Sequence, residues 1–204
     1  ECAAELCGVT HKTALEWRHR VLATVSGYQD RIVPRDTVWV DETCNQQHGS
    51  LQGQGQARKR GPSRQMLCIC VDIDLRKNLV AVVCGHGKPS SARMREAMGG
   101  WIAPGALLIH DPERAHNALV RDGGLESEAH RAESTIGLPK SDGDGERPVL
   151  LAQALPVTVH GDVAQELQAY LDWYVYLFRV NQERDRREPT TRVAGNILIA
   201  DATY

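Results

Sequence analysis

Asp41 closes the segment TVWVD and Asp111 closes ALLIHD, so each carboxylate ends an apolar run with the look of a β-strand. Two oxygen donors brought from separate strands suit Mg²⁺ or Mn²⁺, which fill the rest of their shell with water and phosphate oxygens. A pair of such ions about 4 Å apart can activate an attacking oxygen and stabilise a leaving one at a phosphodiester. A strand-end aspartate is common, and either one alone reads equally as a solvated turn carboxylate. Their pairing is what points to a metal. Glu42 alternates to the other face of the strand from Asp41 and reads as a supporting group. Asp72 and Asp74 are rivals, but they close the second strand just before a turn, which predicts a place at the opposite edge. His110 and His116 flank Asp111 and read either as metal ligands or as structural or solvent-facing groups.

The elements that must position these acids follow from periodicity. Thr37 to Asp41 is a short β-branched strand, and residues 45–64 form a loop rich in Gly and Gln. Met66 to Asp74 is apolar nearly throughout, as expected of a strand covered on both faces. Leu79 to Cys84 follows after a short turn. Ser90 or Ser91 caps a helix predicted to run to about Trp101, Ala106 to His110 is a fourth strand, and Pro112 to Val120 starts another helix. Three strands in hairpin succession, a crossover helix and a fourth strand open a ribonuclease H-like mixed α/β sheet flanked by helices. A right-handed crossover lays strand four parallel to strand one. Asp41 and Asp111 then share the carboxyl edge, where open α/β sheets place ligands. From Gly123 to about Gly161 the pattern dissolves, and a helix resumes at Asp162 with the face Val163, Leu167, Tyr170, Leu171, Tyr174, Leu177 and Phe178.

Ahead of the sheet, residues 1–27 read as a helix-turn-helix. Ala4 packs under a turn that Gly8 permits, and Thr10 caps a second helix with Thr13 at N3. Ala14, Trp17, Val21 and Leu22 form its apolar face, while Lys12, Arg18 and Arg20, with His11, offer DNA contacts. The alternative is a small helical hairpin. A second basic group, Arg58, Lys59, Arg60 and Arg64, lies between strands one and two, where each cation neutralises a phosphate or simply meets solvent. The formal net charge of −2 supplies no whole-chain attraction to nucleic acid, so these clusters must carry it. No apolar run approaches the ~20 residues that span a bilayer, and no signal-peptide pattern is visible. Six cysteines without a CxxC pair read as buried thiols of a reducing cytoplasm. A start at Glu1 without methionine reads as a fragment.

THKTALEWRHRVL, VWVDET, ARKRG with its following strand, LLIHDPERAHNALV and LQAYLDWYVYLFRVNQ, spread over nearly the whole chain, resemble bacterial insertion-sequence transposases of the family numbered fifteen-ninety-five, also called ISXO-two-like. The resemblance implies an RNase H-like domain over residues 36–204, a Mg²⁺ or Mn²⁺ cofactor, and cleavage and transfer of DNA strands at transposon ends. It implies double-stranded DNA partners (terminal repeats and target), a homodimer or higher synaptic oligomer, and a cytoplasmic, nucleoid-associated location. The first two catalytic acids of the family fall on Asp41 and Asp111. The zinc ribbon that the family usually carries first is missing. The rival readings are a non-catalytic helix-turn-helix DNA-binding protein and an RNase H-like nuclease without strand transfer.

The family's third catalytic residue, Asn or Glu on a helix with Lys seven residues on, has no counterpart in residues 134–161. Pro148 and Pro156 there each cost roughly 3 kcal/mol inside a helix. Shifting the reading frame lets Leu151 to Val157 decode as Trp-Leu-Lys-Arg-Tyr-Leu, and Glu146 with Arg147 give Asn. The family pattern then reappears, which points to a pair of compensating frame slips and to a decayed or truncated enzyme. Glu146 is the weak stand-in for the third acid, and Gln153 sits where the Lys belongs.

Overall fold

The computed structural model describes residues 2–46, 66–130 and 164–182, with Thr191, Val193 and Ala194 beyond them. The chain divides into two compact units, Asp30–Gln168 and Glu1–Gln29 with Ala169–Tyr204.

The larger unit is built on a five-stranded sheet. Its strands are β1 (Thr37–Gln46), β2 (Met66–Asp74), β3 (Leu79–His86), β4 (Leu107–His110) and β5 (Glu126–Ala129), in the order β3-β2-β1-β4-β5. β1, β2 and β3 pair antiparallel, and β4 and β5 run parallel to β1. That is the mixed sheet of an RNase H-like α/β fold. Helices α3 (Ser91–Met98) and α4 (Arg114–Gly123) supply the crossovers. Ser90 caps α3 by accepting from the Arg93 N–H at 3.4 Å. α4 ends at Gly124, whose φ of +61° is the left-handed conformation that favours glycine at a helix C-terminus.

One face of the sheet makes the core with α3 and α4. Val38, Val40, Cys70, Val80 and Leu108 pack with Met94, Met98, Ala115 and Leu119. The tight β2–β3 turn is organised by Asp74, which accepts from the backbone N–H groups of Arg35, Arg76 and Asn78 and from the Asn78 amide. Asp74 is thus a turn acceptor. At the outer edge, Gln168 bonds the backbone of β3 in both directions, accepting from Val83 N–H and donating to the Ala81 carbonyl. This satisfies part of a free strand edge that would otherwise invite pairing.

The structure corrects several expectations. β1 runs five residues past Asp41 as a ribbon with β2, and α3 stops at Met98, where Gly99 closes it. β5 was not anticipated, because Glu126–Ala129 is exposed throughout and carries no apolar alternation. The four strand cysteines are not thiols: Cys44 bonds Cys68 and Cys70 bonds Cys84, leaving Cys7 free among the described residues. The pairing follows from register, since Cys44 lies directly across from Cys68 and Cys70 faces a strand that carries Cys84.

In the smaller unit, α1 (Cys2–Cys7) and α2 (His11–Ala23) meet at Gly8, whose φ is +63°. Thr10 caps α2 through the Thr13 N–H at 3.1 Å, as read from the sequence. Leu22 is buried, but Trp17 is 47% exposed and so is not the core residue its spacing suggested. Helix α5 (Ala164–Gln182) continues from the larger unit into this one. Here its buried positions are Leu171, Val175, Tyr176 and Val180, while Tyr170, Tyr174, Leu177 and Phe178 are only half-buried. Val25, Tyr176 and Val180 form its small core, beside a buried hydrogen bond of 2.6 Å from the Gln29 amide to Asp172.

Candidate metal centre

β1 and β4 pair in parallel with Trp39 level with Ile109, so Asp41 and Asp111 each lie two residues further along their strands. Asp41 continues β1, and Asp111 directly follows the end of β4 at the same edge. The Asp111 charge also helps to raise the Asp41 carboxyl.

Strand alternation sorts the neighbouring acids by face. Val40 pairs with Asp72 and Glu42 with Cys70, so Glu42 and Asp72 share the face of the sheet opposite to Asp41. This overturns the placement of Asp72 at a remote edge: its charge is felt through Glu42 and His116. Asp72 is fully buried, and neither carboxylate oxygen has a hydrogen-bond partner. Burial pushes its pKa well above the ordinary carboxylate range, so it is held neutral.

His116, on α4, links the two faces. Its side chain is wholly buried, with Nε2 3.1 Å from Glu42 Oε1 and Nδ1 3.2 Å from Asp111 Oδ1. Burial, the largest single effect, works to lower its pKa. The hydrogen bond to Glu42 and the charges of Glu42 and Asp111 outweigh it, and the net direction is up. His110 is also buried: Nε2 lies 2.9 Å from Ser127 Oγ on β5, and Nδ1 lies 3.1 Å from His116 Nδ1. Its pKa is lowered, chiefly by burial. Both histidines are buried, and both also face Asp111. One ring nitrogen of each histidine and a carboxylate oxygen of Asp111 lie within 4.8 Å of one another.

The acids at the edge are poised for a cation. Burial raises Asp41 to about 6, aided by the charges of Glu42 and Asp111 and opposed by the backbone hydrogen bond at Glu42. Asp111 is raised for the same first reason, with His116 opposing. Oδ1 of Asp111 is buried without a hydrogen-bond partner, although the side chain as a whole is 46% exposed. A divalent cation supplies the positive charge that both carboxyls lack, and the residues present fit one. Lys88 stands nearby, bonded to Glu113 at 2.6 Å and sensing the charges of Asp111 and Glu42. Glu113 occupies the N-cap position of α4 without capping it, its carboxylate being engaged by Lys88.

The DNA contacts expected on α2 have partners of their own. Lys12 lies 3.9 Å from Glu16, and Arg18 donates to the Tyr170 hydroxyl at 3.3 Å. Arg20 is exposed on the same helix. Arg58, Lys59, Arg60 and Arg64, and Glu146 with the whole segment 134–161, lie outside the described residues. The sequence reading passed over the buried bridge Glu42–His116–Asp111. Its only signal was that a Glu follows the first acid and a His stands five residues after the second.

No protein-family model matches the chain, and no curated protein matches its sequence. Solved structures similar to it include the Mos1 mariner paired end complex with Mn, at 14% identity and a TM-score of 0.40, covering 98% of this chain and 73% of that one. The Mos1 strand transfer complex has 18% identity and a TM-score of 0.41, covering 91% and 61%. A simian T-cell lymphotropic virus intasome, in complex with the PP2A regulatory subunit B56 gamma, has 10% identity and a TM-score of 0.34, covering 81% and 48%. The chain thus spans about half the length of that viral-complex chain. At such scores the fold is read from the strand order and not from the likeness. No helix among the described residues is long and apolar enough to cross a membrane.

Proposed function

We propose that this chain is an insertion-sequence transposase of the RNase H-like type, acting on transposon-end DNA as a dimer or larger assembly, with Asp41 and Asp111 as its metal-binding catalytic acids. The observation that supports the reading is the parallel pairing of β1 with β4, Trp39 level with Ile109, with Asp41 and Asp111 each two residues further on. Asp41 and Asp111 would hold Mg²⁺ or Mn²⁺, which would supply the charge that activates an attacking oxygen and stabilises a leaving one in strand cleavage or transfer. The chain's own residues do the rest. His116, gripped by Glu42, fixes the Asp111 side chain that it contacts. Lys88, held by Glu113, keeps a cation beside the acids where a phosphate must approach. Lys12, Arg18, Arg20, Arg58, Lys59, Arg60 and Arg64 supply the DNA contacts, largely through phosphates.

The same reading assigns this chain weak chemistry. Residues 134–161 lack the family's third acid and its Lys, and phosphodiester transfer requires metal ions held in register with the nucleophile. The test is cleavage and joining of labelled transposon-end DNA in Mg²⁺ and Mn²⁺. We expect DNA binding with slow cleavage, and faster cleavage when residues 134–161 are replaced by their shifted-frame translation. In that repaired chain, Asp41→Ala or Asp111→Ala should lower the rate by at least about 10³-fold with binding kept. Fast cleavage indifferent to both substitutions overturns the assignment. Cleavage without joining favours a plain nuclease.

A further inference from the structure

The two buried histidines are arranged in a way that oxygen-only magnesium chemistry does not use. His116 Nδ1 lies 3.1 Å from His110 Nδ1, 3.2 Å from Asp111 Oδ1 and 3.3 Å from the Asp111 carbonyl oxygen. Donors around a metal with bonds of about 2.0–2.1 Å stand roughly 3.0–3.4 Å apart, whether four or six are present. The three spacings from His116 Nδ1 fall in that window, whereas His110 Nδ1 stands closer to the Asp111 carbonyl, at 2.5 Å, as a hydrogen bond.

The far side of each ring carries the second half of the pattern. A ligating histidine ordinarily gives its other ring N–H to an oxygen, which fixes the tautomer and the ring plane. His116 presents Nε2 to Glu42 Oε1, and His110 presents Nε2 to Ser127 Oγ. In the tautomers that place each ring proton on Nε2, the two Nδ1 atoms and Oδ1 converge as lone-pair donors. His110 Nδ1–H donates to the Asp111 carbonyl, which satisfies part of this cluster. Oδ1 is left buried and unpartnered. A proton is a poor substitute for an ion that could engage every member at once.

We propose that His110, Asp111 and His116 form a transition-metal site, taking Zn²⁺ or a similar borderline divalent ion through Nδ1 of each histidine and the carboxylate of Asp111. Two imidazoles and one carboxylate select such ions over Mg²⁺, whose preference is for oxygen. Glu42 and Ser127 are its positioning residues. Ligation takes the Nδ1 lone pair of His110, so its single ring proton passes from Nδ1 to Nε2, where Ser127 Oγ accepts it, with no net release. The site shares Asp111 with the magnesium centre but needs neither Asp41 nor DNA, so the two readings fail separately.

The experiment is calorimetry of the whole chain with ZnCl₂, in buffer holding excess MgCl₂. One Zn²⁺ per chain is expected, and His110→Gln and His116→Gln should each weaken it by at least about tenfold, as should Glu42→Gln. Asp41→Asn should leave the isotherm unchanged. Because a buried His116 variant can fail to fold, the unmodified chain is also followed by nitrogen-15 NMR of its eight histidine rings. Two rings should show ligation at Nδ1 when Zn²⁺ is added. No stoichiometric binding, binding that survives both histidine substitutions or is lost with Asp41→Asn, or ring signals that do not move each overturn the proposal. Magnesium-dependent cleavage by the repaired chain that survives Asp41→Asn, with the zinc isotherm intact, counts against the transposase reading instead.

Discussion

Asp72 is the residue whose environment is hardest to reconcile with charge. It is fully buried, both oxygens lack partners, and Glu42 shares its face of the sheet. Its carboxyl keeps a proton that the unfolded chain gives up above about pH 4. A carboxyl raised in this way contributes most below its unfolded value. Its contribution is then lost as pH rises, until the folded carboxyl itself ionises. Asp72→Asn retains the shape and removes the dependence. We expect the variant to melt higher than the parent at pH 8, by the equivalent of about 1–3 kcal/mol, with the gap closing towards pH 4. Thermal melts of both proteins at the two pH values check this, and a gap that widens in acid refutes it. Its neighbours were only partly readable from the sequence. Glu42 was recognised as a support for Asp41, but the partner it grips, His116, lies 74 positions on and is brought there by α4.

At the scale of elements, the acids and the strands beneath them were legible because the signals are local. Apolar runs ending in Asp mark β1 and β4, and an apolar run with Asp at both 72 and 74 marks β2. The parallel pairing of β1 with β4 followed from the handedness of crossovers. β5 was invisible, since Glu126–Ala129 is exposed and held only by its ladder to β4. The disulfides were misread because pairing of cysteines depends on register, which a one-residue slip would have scrambled. Asp74 shows how one side chain sets a turn. It accepts four hydrogen bonds around Arg35, Arg76 and Asn78, while Lys77 sits at φ +64°. Asp74→Ala orphans those donors and should destabilise the chain by about 2–4 kcal/mol in urea unfolding, whereas Asp74→Asn should recover part of the loss. An alanine variant as stable as the parent would show that the turn is set by the backbone alone.

For the whole molecule, a net charge of −2 means that DNA must be held by local clusters working against the average field. Arg58, Lys59, Arg60 and Arg64 make one such cluster, and each phosphate they neutralise steepens the salt dependence of binding by about 0.9. Replacing all four by Gln should therefore flatten the slope of log affinity against log salt by roughly 3–4, measured by fluorescence anisotropy. An unchanged slope would remove those four residues from the interface. The parallel pairing of β1 with β4 has a further consequence, in time. β1, β2 and β3 pair with their neighbours in sequence, whereas Trp39 meets Ile109 seventy positions away. Closing that long loop is the slow, entropically expensive step, so the hairpins gather first and β4 docks late. Asp41 is thus in place before Asp111 arrives, and the two carboxylates confront each other only at the end of folding. Leu108→Ala, which removes a fully buried side chain from β4, should accelerate unfolding far more than it slows refolding. β4, which docks late and carries β5, is then also the strand whose departure takes Asp111 away from Asp41.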